Sequence, residues 1–351
     1  MSDVEAMIQS GLLSIYERRF PSRKEIRIYN IKGMRGGWET ELYSFTIEYR
    51  EATGRRTEDL VLRIYPGDDA LQKSVKEFKV MRALHELGFP VPKVLLLELG
   101  DNPFGRPFVI MERVEGRSMR DVLLESAGER RRELIMLFCK ILADLHFLDW
   151  RPFVELVSPD LSLYETRDAY AWIDHKLSEM KRAIDRFHRD EFGPLLDWLE
   201  ARSMEVPCER PSLIHGDYHP DNIILRKDDV AFVIDWGAAD IADYRSDLAW
   251  TLLLVGTYWG PEAREAILRG YEQASGHRVT RIEYFEVMAI LRRLLDVSVS
   301  LSEGAGRRGM RPGAEEKMRR DADHLRRVYA LLIARTGIAI PEVERLLSAL
   351  T

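Results

Sequence analysis

Cysteine is nearly missing from this chain: Cys139 and Cys208 are the two among 351 residues. They form no CxxC pair, so no disulfide framework and no thiolate metal cage can be read from them. Cys139 lies in the apolar run LIMLFCKILADL, which points to core packing. An excess of basic charge is missing too. Lys and Arg number 52 against 58 Asp and Glu, a formal net charge of −6. That argues against a general nucleic-acid binder, which carries a strongly basic face. It leaves room for a nucleotide, since a few placed cations and a metal ion suffice locally. No apolar run reaches the roughly 18 residues of a membrane span. The N-terminal stretch MSDVEAMIQSGLLSIYERRF lacks a basic start followed by a long apolar segment, so it reads as an amphipathic helix rather than a signal peptide. The cytoplasm is the expected location. Internal repeats and low-complexity tracts are absent.

What is present suits a folded protein of about two lobes. The chain is 46% hydrophobic, and roughly 150 residues make one domain. The first third is strand-rich. Glu25–Ile31 and Glu41–Tyr49 alternate as strands do, around the loop KGMRGGWET. Asp59–Tyr65 is a third strand, stopped by Pro66-Gly67. Asp69–Leu87 follows with helical spacing, with Val75, Phe78, Met81 and Leu84 among its apolar positions. Two more strands, VLLLEL and FVIM, flank the turn GDNPFGRP. After Gly116 the texture turns helical. Arg131–Leu148 is long and apolar on one face, and Arg167–Ser203 holds charged helices around a break at Phe192-Gly193-Pro194. Two short β runs, Asn222–Leu225 and Val230–Ile234, interrupt this half. The expected class is α+β, with a small antiparallel-sheet lobe at 1–111, a hinge at 112–116 and a mostly helical lobe at 117–351.

The chemistry concentrates between Leu213 and Trp236. His215, Asp217 and Asn222 give H-x-D-x-x-x-x-N, and Asp235 stands 13 residues after Asn222 in Ile234-Asp235-Trp236-Gly237. Protein kinases share this grammar: H-R-D-x-x-x-x-N followed by D-F-G. Phosphoryl transfer explains the spacing. One carboxylate must meet the acceptor hydroxyl, while a second carboxylate and an amide oxygen hold Mg2+ against the triphosphate. Asp217 is the expected base, and Asn222 and Asp235 the expected metal ligands. A rival reading takes His215, Asp217, His219 and Asp221 as the metal site of a hydrolase. It leaves Asn222 and the strand-rich lobe without a role.

The segment also resembles the aminoglycoside phosphotransferase and choline kinase-like family, whose catalytic stretch is written H-G-D-x-H-x-x-N before a strand ending in I-D-[WF]. DWGAADIADYRSDLAW resembles its continuation. The likeness covers roughly Ile31 to Trp250 and implies a two-lobed protein kinase-like fold. It implies further roles. Arg63, on the third strand, would grip the nucleotide phosphates, where many members of the family carry Lys. Glu77, on the following helix, would orient it. Gly36 and Gly37 would cover the phosphates, although the family's G-G-x-x-N-x-x-Y lacks its Asn here. The Glu112 carbonyl and Val114 amide would face adenine, with Met111 nearby. His215 and Asp247 would brace the catalytic loop. His146 reads as a packed core histidine, and His219 either stabilises the loop or lies near the substrate.

The expected activity is therefore transfer of the γ-phosphoryl group of ATP or GTP to a hydroxyl of a small molecule, with Mg2+. The acceptor classes that the resemblance implies are aminoglycosides, macrolides, choline, amino alcohols and sugars. A nucleotide-binding scaffold without turnover is the second reading, kept open by Arg63 in place of Lys. Neither a nucleic acid nor a membrane is expected as a partner. Asp168, Asp174 and Glu179 could attract a cationic acceptor, whereas Arg307, Arg308 and Arg311 could meet an anion.

Overall fold

The computed structural model describes residues 3–34, 40–157, 168–208, 210–304 and 314–350. Gly36 and Gly37 lie outside the described residues, as do Arg307, Arg308 and Arg311. The chain divides into two compact units. The first holds residues 1–116 and 226–237, and the second holds 117–225 and the described residues from 238 onward.

In the first unit the antiparallel sheet β1 (Lys24–Gly33), β2 (Glu41–Glu51), β3 (Gly54–Ile64), β4 (Val94–Glu98) and β5 (Phe108–Glu112) has the order β1-β2-β3-β5-β4. Strand β3 is longer than its hydrophobic pattern predicts. Its first half, GRRTED, is mostly exposed and pairs with β2 through Arg55↔Arg50 and Thr57↔Glu48, while Leu60–Ile64 is fully buried. Register with β2 extends the strand where polarity hides it. Helix α1 (Asp3–Arg19) buries Ile8, Leu12, Ile15 and Tyr16, a spacing of one helical face. These join Ile28, Phe45, Ile47, Tyr49, Leu62 and Ile110 in one core. Helix α2 (Ala70–Glu86) buries Ser74, Glu77, Val80, Met81 and Leu84. Glu77 thus stands in the stripe that an apolar residue would fill, which a carboxylate tolerates only when paired.

The second unit is mostly helical. A two-residue strand β6 (Arg117–Ser118) precedes α3 (Met119–Glu125), which is capped by Ser118 accepting from Asp121 N at 3.1 Å. Helix α4 (Gly128–Phe147) packs on helix Pro261–Ser275 so closely that a Cβ on Gly270 would meet Cys139 Sγ at 2.8 Å. Burial pushes the Cys139 thiol up to about 12, as suits a packing residue. The expected break around Phe192-Gly193-Pro194 is present. The helix Ala171–Arg186 ends at Phe187, and Gly193-Pro194 starts helix Gly193–Glu200. Proline costs nothing there, since the first helical N–H groups have no partner. Strand β7 (Pro211–Ile214) pairs antiparallel with Asp240–Asp243, Ile241 facing Leu213. Strand β8 (Ile223–Leu225) pairs with β6. Helices Tyr244–Trp259 and Ile282–Glu303 run through the centre and are buried on most of their faces. Among the described residues no helix is long and apolar enough to cross a membrane.

One buried charge ties helices Pro261–Ser275, Ile282–Glu303 and Ala322–Thr336. Glu286, with no exposed surface, accepts from Arg264 Nε at 2.6 Å and from Arg335 Nη2 at 2.6 Å. Removing one member of such a set strands the others. Glu286→Ala is therefore expected to lower the unfolding free energy by about 3 kcal/mol, measured by urea denaturation followed by circular dichroism.

Candidate active site

In the second unit β7 delivers the chain to His215, and the 3₁₀ turn Pro220–Asn222 leads it into β8. The intervening loop is held from beneath by Asp247. This carboxylate is buried and accepts from His215 N at 2.8 Å and Gly216 N at 2.9 Å. Its Oδ2 also lies 3.3 Å from Nε2 of His146, whose Nδ1 meets the Tyr271 hydroxyl at 2.8 Å. Burial works against the Asp247 charge, but His146, His215 and these N–H donors outweigh it and keep its pKa below the usual carboxylate range. The helix is capped not by Asp247 but by Asp243, which accepts from Arg245 N at 2.9 Å. Gly216 has φ +77°, and a Cβ there would lie 2.4 Å from the Ala238 carbonyl oxygen. Only glycine fits that position.

Asp217 follows. Its own N–H donates to His215 Nδ1 at 3.2 Å. Its Oδ1 accepts from Trp250 Nε1 at 2.7 Å, and its Oδ2 from Asn222 Nδ2 at 3.3 Å. His219 Nε2 is 3.5 Å from Oδ2. About a third of the Asp217 side chain (34%) stays exposed, enough for a substrate to reach it. Desolvation opposes its charge, yet His219, Arg292 and the Trp250 N–H together hold its pKa well below the ordinary range. The depressed pKa favours its carboxylate form. Asn222 Nδ2 also donates to the Asp217 carbonyl at 2.9 Å. Both of its partners are acceptors, so the amide nitrogen must face them. The Asn222 amide oxygen is then directed away from them and is a hard donor of the kind Mg2+ takes. Among the described residues no group of three or more His, Cys, Asp or Glu side chains could hold a metal, so the hydrolase reading has no donor set there.

The other expected residues belong to the first unit. Arg63 Nη1 pairs with Glu77 Oε1 at 3.0 Å, and its Nη2 with Asp235 Oδ1 at 2.6 Å. Tyr65 donates to Glu77 Oε2, and Trp236 N donates to Glu77 Oε1 at 3.3 Å. Burial raises the Glu77 carboxyl against the pull of Arg63. Burial disfavours the Arg63 charge, but Asp235 and Glu77 more than restore it. Asp235 has φ +69°, a left-handed backbone rarely held by a non-glycine residue. Its Oδ1 meets Arg63, and its carboxylate suits a hard cation as the Asn222 amide does. Glu112 ends β5, and Arg113 N donates to Asp59 O at 3.1 Å. The Val114 N–H has no acceptor among the described residues.

Two contacts of this site went unread in the sequence. Trp250 lies three residues past Asp247, and that helical spacing puts both on one face, so a signal existed. Arg292 carries no local signal, since its partner Gly216 is 76 residues away.

The bracing role of Asp247 is testable. Asp247→Asn replaces an acceptor oxygen with a donor facing buried N–H groups. It is expected to cost about 2–3 kcal/mol of unfolding free energy at neutral pH. Because the folded-state pKa is depressed, this contribution is fully present above the unfolded value of about 3.9 and is lost as pH falls through the lower folded value. The gap between wild type and variant should therefore close in acid, as read from urea midpoints at several pH values.

A family model described as the phosphotransferase enzyme family matches residues 30–284. Among solved structures, the GDP and kanamycin complex of APH(2")-IIIa has a TM-score of 0.56 at 18% identity, covering 93% of this chain and 98% of that one. The streptomycin–ATP complex of APH(2")-IIa has a TM-score of 0.57 at 17% identity over 85% and 92%. At such identity these show the fold: two-lobed and protein kinase-like, with an antiparallel sheet in the N-terminal part and helices in the remainder. Among curated proteins, acyl-CoA dehydrogenase family member 11 of Homo sapiens is 28% identical over 284 residues, 76% of this chain and 35% of that protein. The Gallus gallus protein of the same name is 33% identical over 198 residues, 54% of this chain and 24% of that protein. The chain thus spans only a quarter to a third of these two relatives. Aminoglycoside 3'-phosphotransferase of Niallia circulans is 25% identical over 200 residues, 56% of this chain and 70% of that protein. With the family model covering most of its length, this chain belongs to the phosphotransferase enzyme family.

Proposed function

We propose that the protein transfers the γ-phosphoryl group of ATP or GTP to a hydroxyl of a small molecule. The observation that carries this reading is Asp217, a carboxylate fixed by Trp250 and Asn222 yet one-third exposed. In the reaction the acceptor O–H bond breaks and its proton passes to Asp217. The acceptor oxygen bonds to the γ-phosphorus, and the bond to the β–γ bridging oxygen breaks, its electron pair leaving with the nucleoside diphosphate. Arg63, oriented by Glu77, steadies the nucleotide phosphates, and Gly36 and Gly37 cover them. The Glu112 carbonyl and Val114 amide meet adenine. Asn222 and Asp235 hold Mg2+, which when bound neutralises charge on the phosphates. Residues 1–111 act as the nucleotide lobe, 112–116 as the hinge and 117–351 as the catalytic and acceptor lobe, working in the cytoplasm.

The nucleotide complexes of APH(2")-IIIa and APH(2")-IIa support a nucleotide co-substrate. This chain matches only a quarter to a third of the two acyl-CoA dehydrogenase relatives, and its family match over residues 30–284 is to phosphotransferases. Acceptors to screen are aminoglycosides, macrolides, choline, amino alcohols and sugars, with Mg2+ and ATP or GTP. Acceptor-dependent release of nucleoside diphosphate, with a phosphorylated product in the mass spectrum, is expected for one class. Asp217→Asn should keep nucleotide affinity within about threefold and lower kcat by at least about 10³-fold. Turnover that survived this substitution would remove Asp217 as the base. Nucleotide binding without turnover on any acceptor would instead favour the scaffold reading.

A further inference from the structure

Asp217 is held on its Oδ1 side by a residue pair outside the loop. Trp250 Nε1 donates to Asp217 Oδ1 at 2.7 Å. The Arg292 guanidinium lies over the same indole, 4.1 Å from the ring centroid. Arg292 Nη1 also donates to the Gly216 carbonyl at 2.7 Å, one residue before the base, and its Nε is 3.9 Å from Asp296. The tryptophan is nearly buried, with 6% of its surface exposed, so its rotamer is set by packing. An arginine stacked on an indole and bonded to the loop it faces has little freedom left.

We propose that Trp250 and Arg292 are positioning residues for the phosphoryl-transfer base, a proposal that rests on the reading of Asp217 given above. Trp250 occupies Oδ1 with a short, charge-assisted hydrogen bond. Among the described residues, Oδ2 makes the longer contacts to Asn222 at 3.3 Å and His219 at 3.5 Å. Oδ2 is therefore the oxygen that takes the acceptor proton. Arg292 fixes the two ends of this arrangement at once, the indole by stacking and the loop backbone through Gly216. Without the pair, the carboxylate can rotate about its Cβ–Cγ bond, and both oxygens become equivalent. Orientation errors of this size cost catalysis far more than binding.

The test reads the contact directly. In protein labelled with 15N-tryptophan, the Trp250 indole resonance is the one absent from Trp250→Phe. Asp217→Ala is expected to move that resonance strongly upfield, as the charged acceptor is lost, while Asp221→Asn in the same loop leaves it in place. Arg292→Ala is expected to move it as well. A resonance unmoved by Asp217→Ala, or moved equally by Asp221→Asn, overturns the pairing, and one unmoved by Arg292→Ala removes Arg292 from it. In hydrolysis of Mg-ATP, with water as acceptor, Trp250→Phe should lower kcat about 10- to 100-fold and leave KM for ATP within about twofold. An unchanged kcat in Trp250→Phe, with the indole of the otherwise wild-type protein still moved by Asp217→Ala, would reduce Trp250 to a structural contact. A wild-type protein that turns over no ATP would instead count against the phosphotransferase reading, while the indole resonance would still decide the pairing.

Discussion

The site depends first on a buried carboxylate beneath its loop. Asp247 accepts the N–H groups of His215 and Gly216 and faces Nε2 of His146. A loop entering the interior of a helical unit exposes backbone donors that water cannot satisfy. One aspartate on a neighbouring helix answers two of them, and so dictates where the next residue, Asp217, must emerge. The positive φ of Gly216 completes the turn, because the Ala238 carbonyl leaves no room for a Cβ. Loop, hub and glycine are one device, and none of the three keeps its geometry without the others.

The first unit solves a different problem in a similar way. Helix α2 needs an apolar face toward the sheet, yet Glu77 stands in the middle of it. Arg63, the Tyr65 hydroxyl and the Trp236 N–H satisfy that carboxylate. The cost of burying three ionisable groups and a left-handed Asp235 is not recovered as stability. Hydrophobic residues of similar size would pack there more cheaply. The cluster makes sense as a rigid presentation of Arg63 and Asp235, each held in one orientation.

This division explains what the sequence makes legible. Helix α2 repeats with the period of its burial, and β1 and β2 alternate in residue type over part of their length, so pattern reveals them even though Ser44–Ile47 is buried without a break. The H-x-D-x-x-x-x-N spacing is likewise local, and its members fall on one loop. The polar half of β3 is silent because its partner, not its composition, makes it a strand. Strand Asp240–Asp243 is silent for the same reason, being four residues whose pairing with Pro211–Ile214 lies far off in sequence. The Gly193-Pro194 pair marks the boundary locally, because proline is tolerated in the first turn of the helix it opens. Arg292 is the extreme case: it lies on a helix that is mostly buried and apolar, and only the fold brings it to Gly216 and Trp250.

The acceptor is hard to read for a related reason. The acidic residues that could greet a polycation are mostly engaged elsewhere. Asp168 accepts from Tyr170 N at 2.9 Å in its own turn, and Glu179 pairs with Lys176 at 2.7 Å. Lys176 lies 3.7 Å from Asp240. Beside Asp217 the side chains are of mixed sign: Arg292 with Asp296, Arg120 with Asp221 at 3.6 Å, and His219. Among the described residues this mixture sets opposite charges side by side, which weakens long-range steering of a multiply charged ligand. Under the proposed reading, discrimination among acceptors rests on shape and on short hydrogen bonds around Asp217, properties that composition does not record.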